Sequence, residues 1–142
     1  MENLPRGYRN NNPLNLKIRT KGNPWVGVIP KEKNTDGTFE QFTDMVYGYR
    51  AAMVLLRNYT ILYGLRTIAQ IIRRFAPEPE NNTERYIERV CKITGFDRNE
   101  EYRARDEKMV KSVIYAMAIV ENGTNPMPLQ CDIDEAWILY HN

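Results

Sequence analysis

Between residues 9 and 17 the chain sets four asparagines, Asn10, Asn11, Asn12 and Asn15, around a single proline, Pro13. Each amide carries donors and an acceptor that must be hydrogen-bonded or hydrated, so this run cannot be ordinary core. Asparagine side chains hold turns by bonding nearby backbone, and Asn12, lying before Pro13, is pushed toward an extended conformation. One reading is a well-capped turn. The other is a rigid wall of neutral amides along a groove that binds a hydroxyl- and amide-rich ligand such as a glycan.

At 142 residues the chain has the length of one ordinary domain, 1–142, with one core. Its 20 Lys and Arg against 18 Asp and Glu leave a net charge of +2, which by itself indicates neither a nucleic-acid footprint nor a trap for acidic substrates. A hydrophobic content of 42% excludes wholesale disorder. No run approaches the roughly 20 apolar residues that span a bilayer, so no membrane partner is expected. The first fifteen or so residues lack the apolar centre of a signal peptide, which reads as a chain made in the cytoplasm that needs another exit for work outside the cell. Cys91 and Cys131 have no zinc-ligand neighbours and read as reduced, mostly buried thiols; no metal or cofactor is expected. His141, the only histidine, is penultimate, a poor place for Ser/His or Cys/His catalysis.

Taken in order, residues 14–18 alternate apolar and polar, 25–29 form a second candidate strand, and Asp36-Gly37 is a hairpin turn into a third, 38–42. Together they predict a small antiparallel β-lobe over about 14–42, too thin to stand without helices. The helical body, about 43–142, begins with a helix capped by Thr43 or Asp44 and ended by Gly64. Gly48, early in that helix, points to close approach by a backbone or ligand. Thr67 caps residues 68–75, Pro77 and Pro79 close that helix, and Thr83 opens the next, to about Thr94. Residues 97–108 read as a charged loop or the solvated start of a helix, and 109–120 as the central buried helix. Asp132 and Glu135 have capping-box spacing for the last helix.

A mainly α chain with an early β-hairpin lobe (α+β) has the layout of the lysozyme-like fold. The run Asn11-Asn12-Pro13-Leu14-Asn15-Leu16-Lys17, then Trp25-Val26-Gly27, Phe39-Glu40-Gln41-Phe42 and Gly48-Tyr49-Arg50-Ala51, resembles small phage and prophage structural proteins related to peptidoglycan-cleaving muramidases. More distantly it resembles the flagellar-type glucosaminidases, and Ala76-Pro77 with Asn82-Thr83-Glu84-Arg85-Tyr86-Ile87 is similar to the stretch there that sets a tyrosine beside the groove. The resemblance covers about residues 5–95. It implies binding of the glycan strand of peptidoglycan, with cleavage of that strand as a glycosidase or lytic transglycosylase as the further expectation. The alternative is a non-catalytic virion structural or cell-wall-binding protein acting at the wall, with other virion proteins as partners.

Cleavage needs a carboxyl to protonate the glycosidic oxygen and often a second carboxylate. Lysozyme-like enzymes carry the acid on a helix ahead of the hairpin lobe, where this chain has only Glu2. Glu80, in a proline-flanked loop, is therefore the candidate acid, with Glu40 or Asp36 as the second carboxylate. Asn11, Asn12, Asn15, Trp25 and Tyr86 are the candidate substrate-binding residues. Each also has an ordinary explanation: Glu80 as a carboxylate near a helix N-terminus, Glu40 as the wet side of a strand, Asp36 as a turn residue, and Trp25 and Tyr86 as core. Arg66, Arg73, Arg74, Arg85 and Arg89 are the only material for nucleic-acid binding and read as solvated helix faces, so no nucleic-acid partner is expected.

Overall fold

A computed structural model describes residues 3–142 and builds them into helices joined by long irregular segments. Glu2 lies outside the described residues. The first helix, α1 (Arg6–Arg9), is one turn; α2 (Met45–Tyr63), α3 (Ile68–Phe75), α4 (Thr83–Thr94), α5 (Glu107–Asn122) and α6 (Gln130–His141) form the body. Their ends have local causes. The Asp44 carboxylate accepts from the Val46 N–H at the start of α2, and Gly64 takes the left-handed φ of 63° that stops it. Thr67 and Gln70 make a reciprocal capping box on α3, and Asn82 caps α4 by accepting from the Arg85 N–H. Asp106 caps α5, which starts at Glu107 rather than at Met109. The expected box at Asp132 and Glu135 does not form. Helix α6 begins at Gln130, which places Asp132 inside its first turn, where a carboxylate still complements the helix dipole.

Helix α5 is central. Its Val110, Val113, Ile114, Ala116, Met117 and Ala118 are fully buried, and each large side chain removed from water contributes roughly 1.5–3 kcal/mol. Helix α4 packs on α5, α3 on α4, and α2 along α6, so one continuous apolar cluster runs through the body. Cys91 is half-buried and Cys131 exposed, so the expectation of two mostly buried thiols is corrected for Cys131; both are free.

The β-lobe is not there. Among the described residues no sheet or hairpin forms, and the expected α+β, lysozyme-like architecture is replaced by a helical one with isolated bridges only, Lys17 with Phe39, Val28 with Phe42 and Thr67 with Glu101. The three supposed strands do meet: Ile18 N–H donates to Thr38 O, Glu40 N–H to Leu16 O and Ile29 N–H to Gln41 O. Side chains interrupt the ladder. Asn12 Nδ2 donates to the carbonyls of both Leu16 and Glu40, and its Oδ1 accepts from the Leu16 N–H, so one amide occupies three backbone positions. Asn34 Oδ1 accepts from the Asp36 and Gly37 N–H groups, and Asp36 Oδ2 from those of Thr38 and Phe39. The turn at 36–37 is thus wound by side chains instead of by strand pairing.

Gly48 is where the irregular segment touches the body. A Cβ there would collide with the Asn11 carbonyl and sit 2.7 Å from Pro13 Cδ, so the asparagine loop lies directly on α2. Asn11 and Asn15 take left-handed φ angles of 52° and 54°, a conformation asparagine tolerates better than most residues.

Candidate functional site

A cleft of about 570 Å³ opens between this loop and the helices. The loop contributes Asn15, Lys17, Arg19, Trp25 and Phe39; α2 contributes Tyr59; the end of α3 and the following loop contribute Arg74, Phe75, Glu80 and Asn81; and α5 contributes Glu121. The wall is mixed: aromatic faces, two amides, three cations and two carboxylates.

Glu121 is the least ordinary of these. Its Oε1 accepts from Asn15 Nδ2 and its Oε2 from the Tyr86 hydroxyl, both at 3.0 Å. No lysine or arginine forms a salt bridge with it among the described residues. Burial pushes its pKa up, and the hydrogen bonds from Asn15 and Tyr86 offset that only in part. It also stands in the last turn of α5, where the partial negative charge of the helix end disfavours an anion. Tyr86 in turn is held well above its ordinary pKa, first by burial and then by the neighbouring Glu121. Its ring meets Phe75 edge-on, with centroids 6.2 Å apart.

The residues singled out in the sequence divide. Asn15 and Trp25 reach the cleft, although Trp25 is only 7% exposed and the Arg19 guanidinium lies 4.1 Å from its ring centroid. Tyr86 stands behind the cleft, joined to it through Glu121. Asn11 does not line it; its amide donates to the Phe42 carbonyl. Asn12 is completely buried and spends its bonds inside the loop. Glu80 lines the cleft but is exposed, with Lys17 Nζ 3.3 Å away. Glu40 is buried outside the lining, its Oε2 accepting from the Arg19 N–H. Asp36 is tied to Arg6 by two bonds of 2.9 Å and to Asn10, and the Arg6 guanidinium holds its pKa far below the usual carboxylate range.

The arginines do not form one free basic face. Arg73 pairs with Glu84, and Arg74 lies over the Tyr63 ring at 3.8 Å. Glu121 is not among the residues that the sequence motifs single out; its one local signal is that it is an acid closing the most apolar helix, two residues ahead of Gly123.

No family model matches the chain. Over 122 residues it is 46% identical to Protein P5 of Pseudoalteromonas phage PM2, a match that covers 85% of this chain and 73% of that protein. The chain belongs to the family of that phage protein. The phage side of the expected resemblance therefore holds, whereas neither this relation nor the fold indicates kinship with muramidases or glucosaminidases.

Proposed function

We propose that this member of the Protein P5 family is a phage virion component whose cleft binds the glycan strand of peptidoglycan. The relation to a phage protein supports a place in the virion, among other virion proteins. The observation that carries the binding reading is that Asn15 and Trp25, brought from separate parts of the loop, open onto the same cleft. Aromatic faces suit the apolar side of a sugar ring, and fixed amides such as Asn15 and Asn81 suit its hydroxyl and acetamido groups. Lys17, Arg19 and Arg74 add cations that complement the carboxylates carried by peptidoglycan. Helices of the described residues offer no span long and apolar enough to cross a membrane.

Two measurements test this. Purified protein is expected to pellet saturably with insoluble peptidoglycan and to be displaced by soluble muropeptides; a protein that stays in the supernatant removes the binding reading. Antibody detection in gradient-purified virions is expected to follow the infectious peak, and a signal confined to the unassembled fraction removes the virion role.

A further inference from the structure

We infer that Glu121 is the proton donor of a glycan-cleaving site, its carboxyl presented on the cleft wall between Asn15 and Tyr86. The inference rests on the glycan reading of the cleft and adds chemistry to it. Two carboxylates line the cleft, and they are differently placed: Glu80 is exposed beside Lys17, while Glu121 is half-buried and receives only neutral donors. A half-buried acid with no cation beside it carries a desolvation cost that an ion pair would offset. At a cleft wall the same arrangement keeps a neutral carboxyl ready to give its proton, which is what cleavage of a glycosidic bond requires.

The amide of Asn15 is suited to both protonation states. As placed, Nδ2 donates to the carboxylate, and Oδ1 is buried with no hydrogen-bond partner. Turning the amide over lets Oδ1 accept the O–H of the neutral acid instead. Tyr86 is a positioning residue: its hydroxyl fixes Oε2 from behind and does not line the cleft.

The step balances without a cofactor. The Glu121 proton passes to the glycosidic oxygen as the bond from that oxygen to the anomeric carbon breaks, and the bonding electron pair leaves with the oxygen, giving an alcohol. An oxygen nucleophile, water or a hydroxyl of the same sugar, then bonds to the anomeric carbon. Its proton returns to the Glu121 carboxylate, which is restored for the next bond.

The test uses the full chain on insoluble peptidoglycan, with pelleting and soluble muropeptide release followed in the same tubes, the latter by mass spectrometry. Wild type is expected to pellet and to release fragments, and Glu121→Gln to pellet while release falls by about a hundredfold or more. Wild type that pellets without releasing fragments overturns the inference and leaves the binding reading intact; wild type that does neither removes both. Release by Glu121→Gln equal to wild type also overturns it. Should Glu121→Gln not fold, Tyr86→Phe decides. Losing a donor to the carboxylate raises the acid's pKa, so the alkaline limb of the release profile is expected to move to higher pH, and an unmoved limb overturns the inference.

Discussion

The Tyr86 hydroxyl donates to Oε2 of Glu121 at 3.0 Å, joining α4 to the last turn of α5 across 35 residues of chain. The bond brings the interior of the helical body to the cleft wall, and Asn15 completes it from the other side. A loop, a helix end and a buried tyrosine thus converge on one carboxyl. Its titration reports on all three.

Glu121 is expected to make stability fall as pH rises from the ordinary carboxyl range toward neutrality. Its folded pKa is raised, so in that window the native state binds more protons than the unfolded chain, and the slope of unfolding free energy against pH is negative. Urea titrations of wild type and Glu121→Gln across this range check it. The variant is expected to lose that part of the slope, and parallel curves would contradict the burial argument.

Asp36 works with the opposite sign. Arg6, followed by backbone N–H donors, lowers its folded pKa, so its contribution is present above the ordinary carboxyl pKa and is lost as pH falls toward the lowered value. Asp36→Asn is expected to be less stable than wild type at neutral pH and to converge on it in acid. A gap that widened on acidification would show that the Arg6 pairing is not what holds this turn.

Asn12→Ala removes three hydrogen bonds at a fully buried site; the Leu16 carbonyl keeps the Glu40 N–H, while the Glu40 carbonyl and the Leu16 N–H must find other partners. Each unsatisfied buried group costs about 1–3 kcal/mol, so a loss of about 3 kcal/mol in total is expected from chemical denaturation. The far-ultraviolet helical signal of the native state should change little, because the helices do not depend on this amide. A loss below about 1 kcal/mol would mean that water enters and satisfies the loop.

The longer helices, α2 to α6, are legible in the sequence, unlike the one-turn α1, because most of their ends are written locally: Asp44, Thr67, Gly64 and Gly95 each act on backbone within a turn of themselves. The expected β-lobe is absent for a physical reason. Leu14 and Leu16 are buried as the alternation over 14–18 implied, whereas Glu40, read as the wet side of a strand, is buried beside Phe42; alternation reports only which side chains face inward. It does not report that Asn12, Asn34 and Asp36 take the backbone groups a strand ladder would need. The cleft was half legible. Asn15 and Trp25 could be proposed from residue type, whereas Glu121 depends on a contact with Asn15 106 residues away, which no local pattern encodes.

Gly48 and Gly64 separate two reasons for a glycine. At Gly48 a side chain meets the Asn11 backbone, which cannot swing aside, and Gly48→Ala is expected to cost about 1–3 kcal/mol and several degrees of Tm. At Gly64 nothing stands within 4 Å and only the left-handed φ of 63° is at issue, so Gly64→Ala should cost about 1 kcal/mol. Calorimetry on the two variants checks the order. Equal or reversed losses would show that the asparagine loop is not seated on α2.

The most direct measurement is a fluorescence titration of the Trp137→Phe variant with soluble muropeptides. The chain has two tryptophans, and this substitution leaves Trp25 in the cleft as the sole indole. A saturable change in its emission, weakened by about tenfold in the added presence of Asn15→Gly, is the expected result, since glycine keeps the left-handed backbone while deleting the amide. Emission that stays flat through concentrations at which the protein pellets with peptidoglycan would place the glycan elsewhere and contradict the cleft as its site.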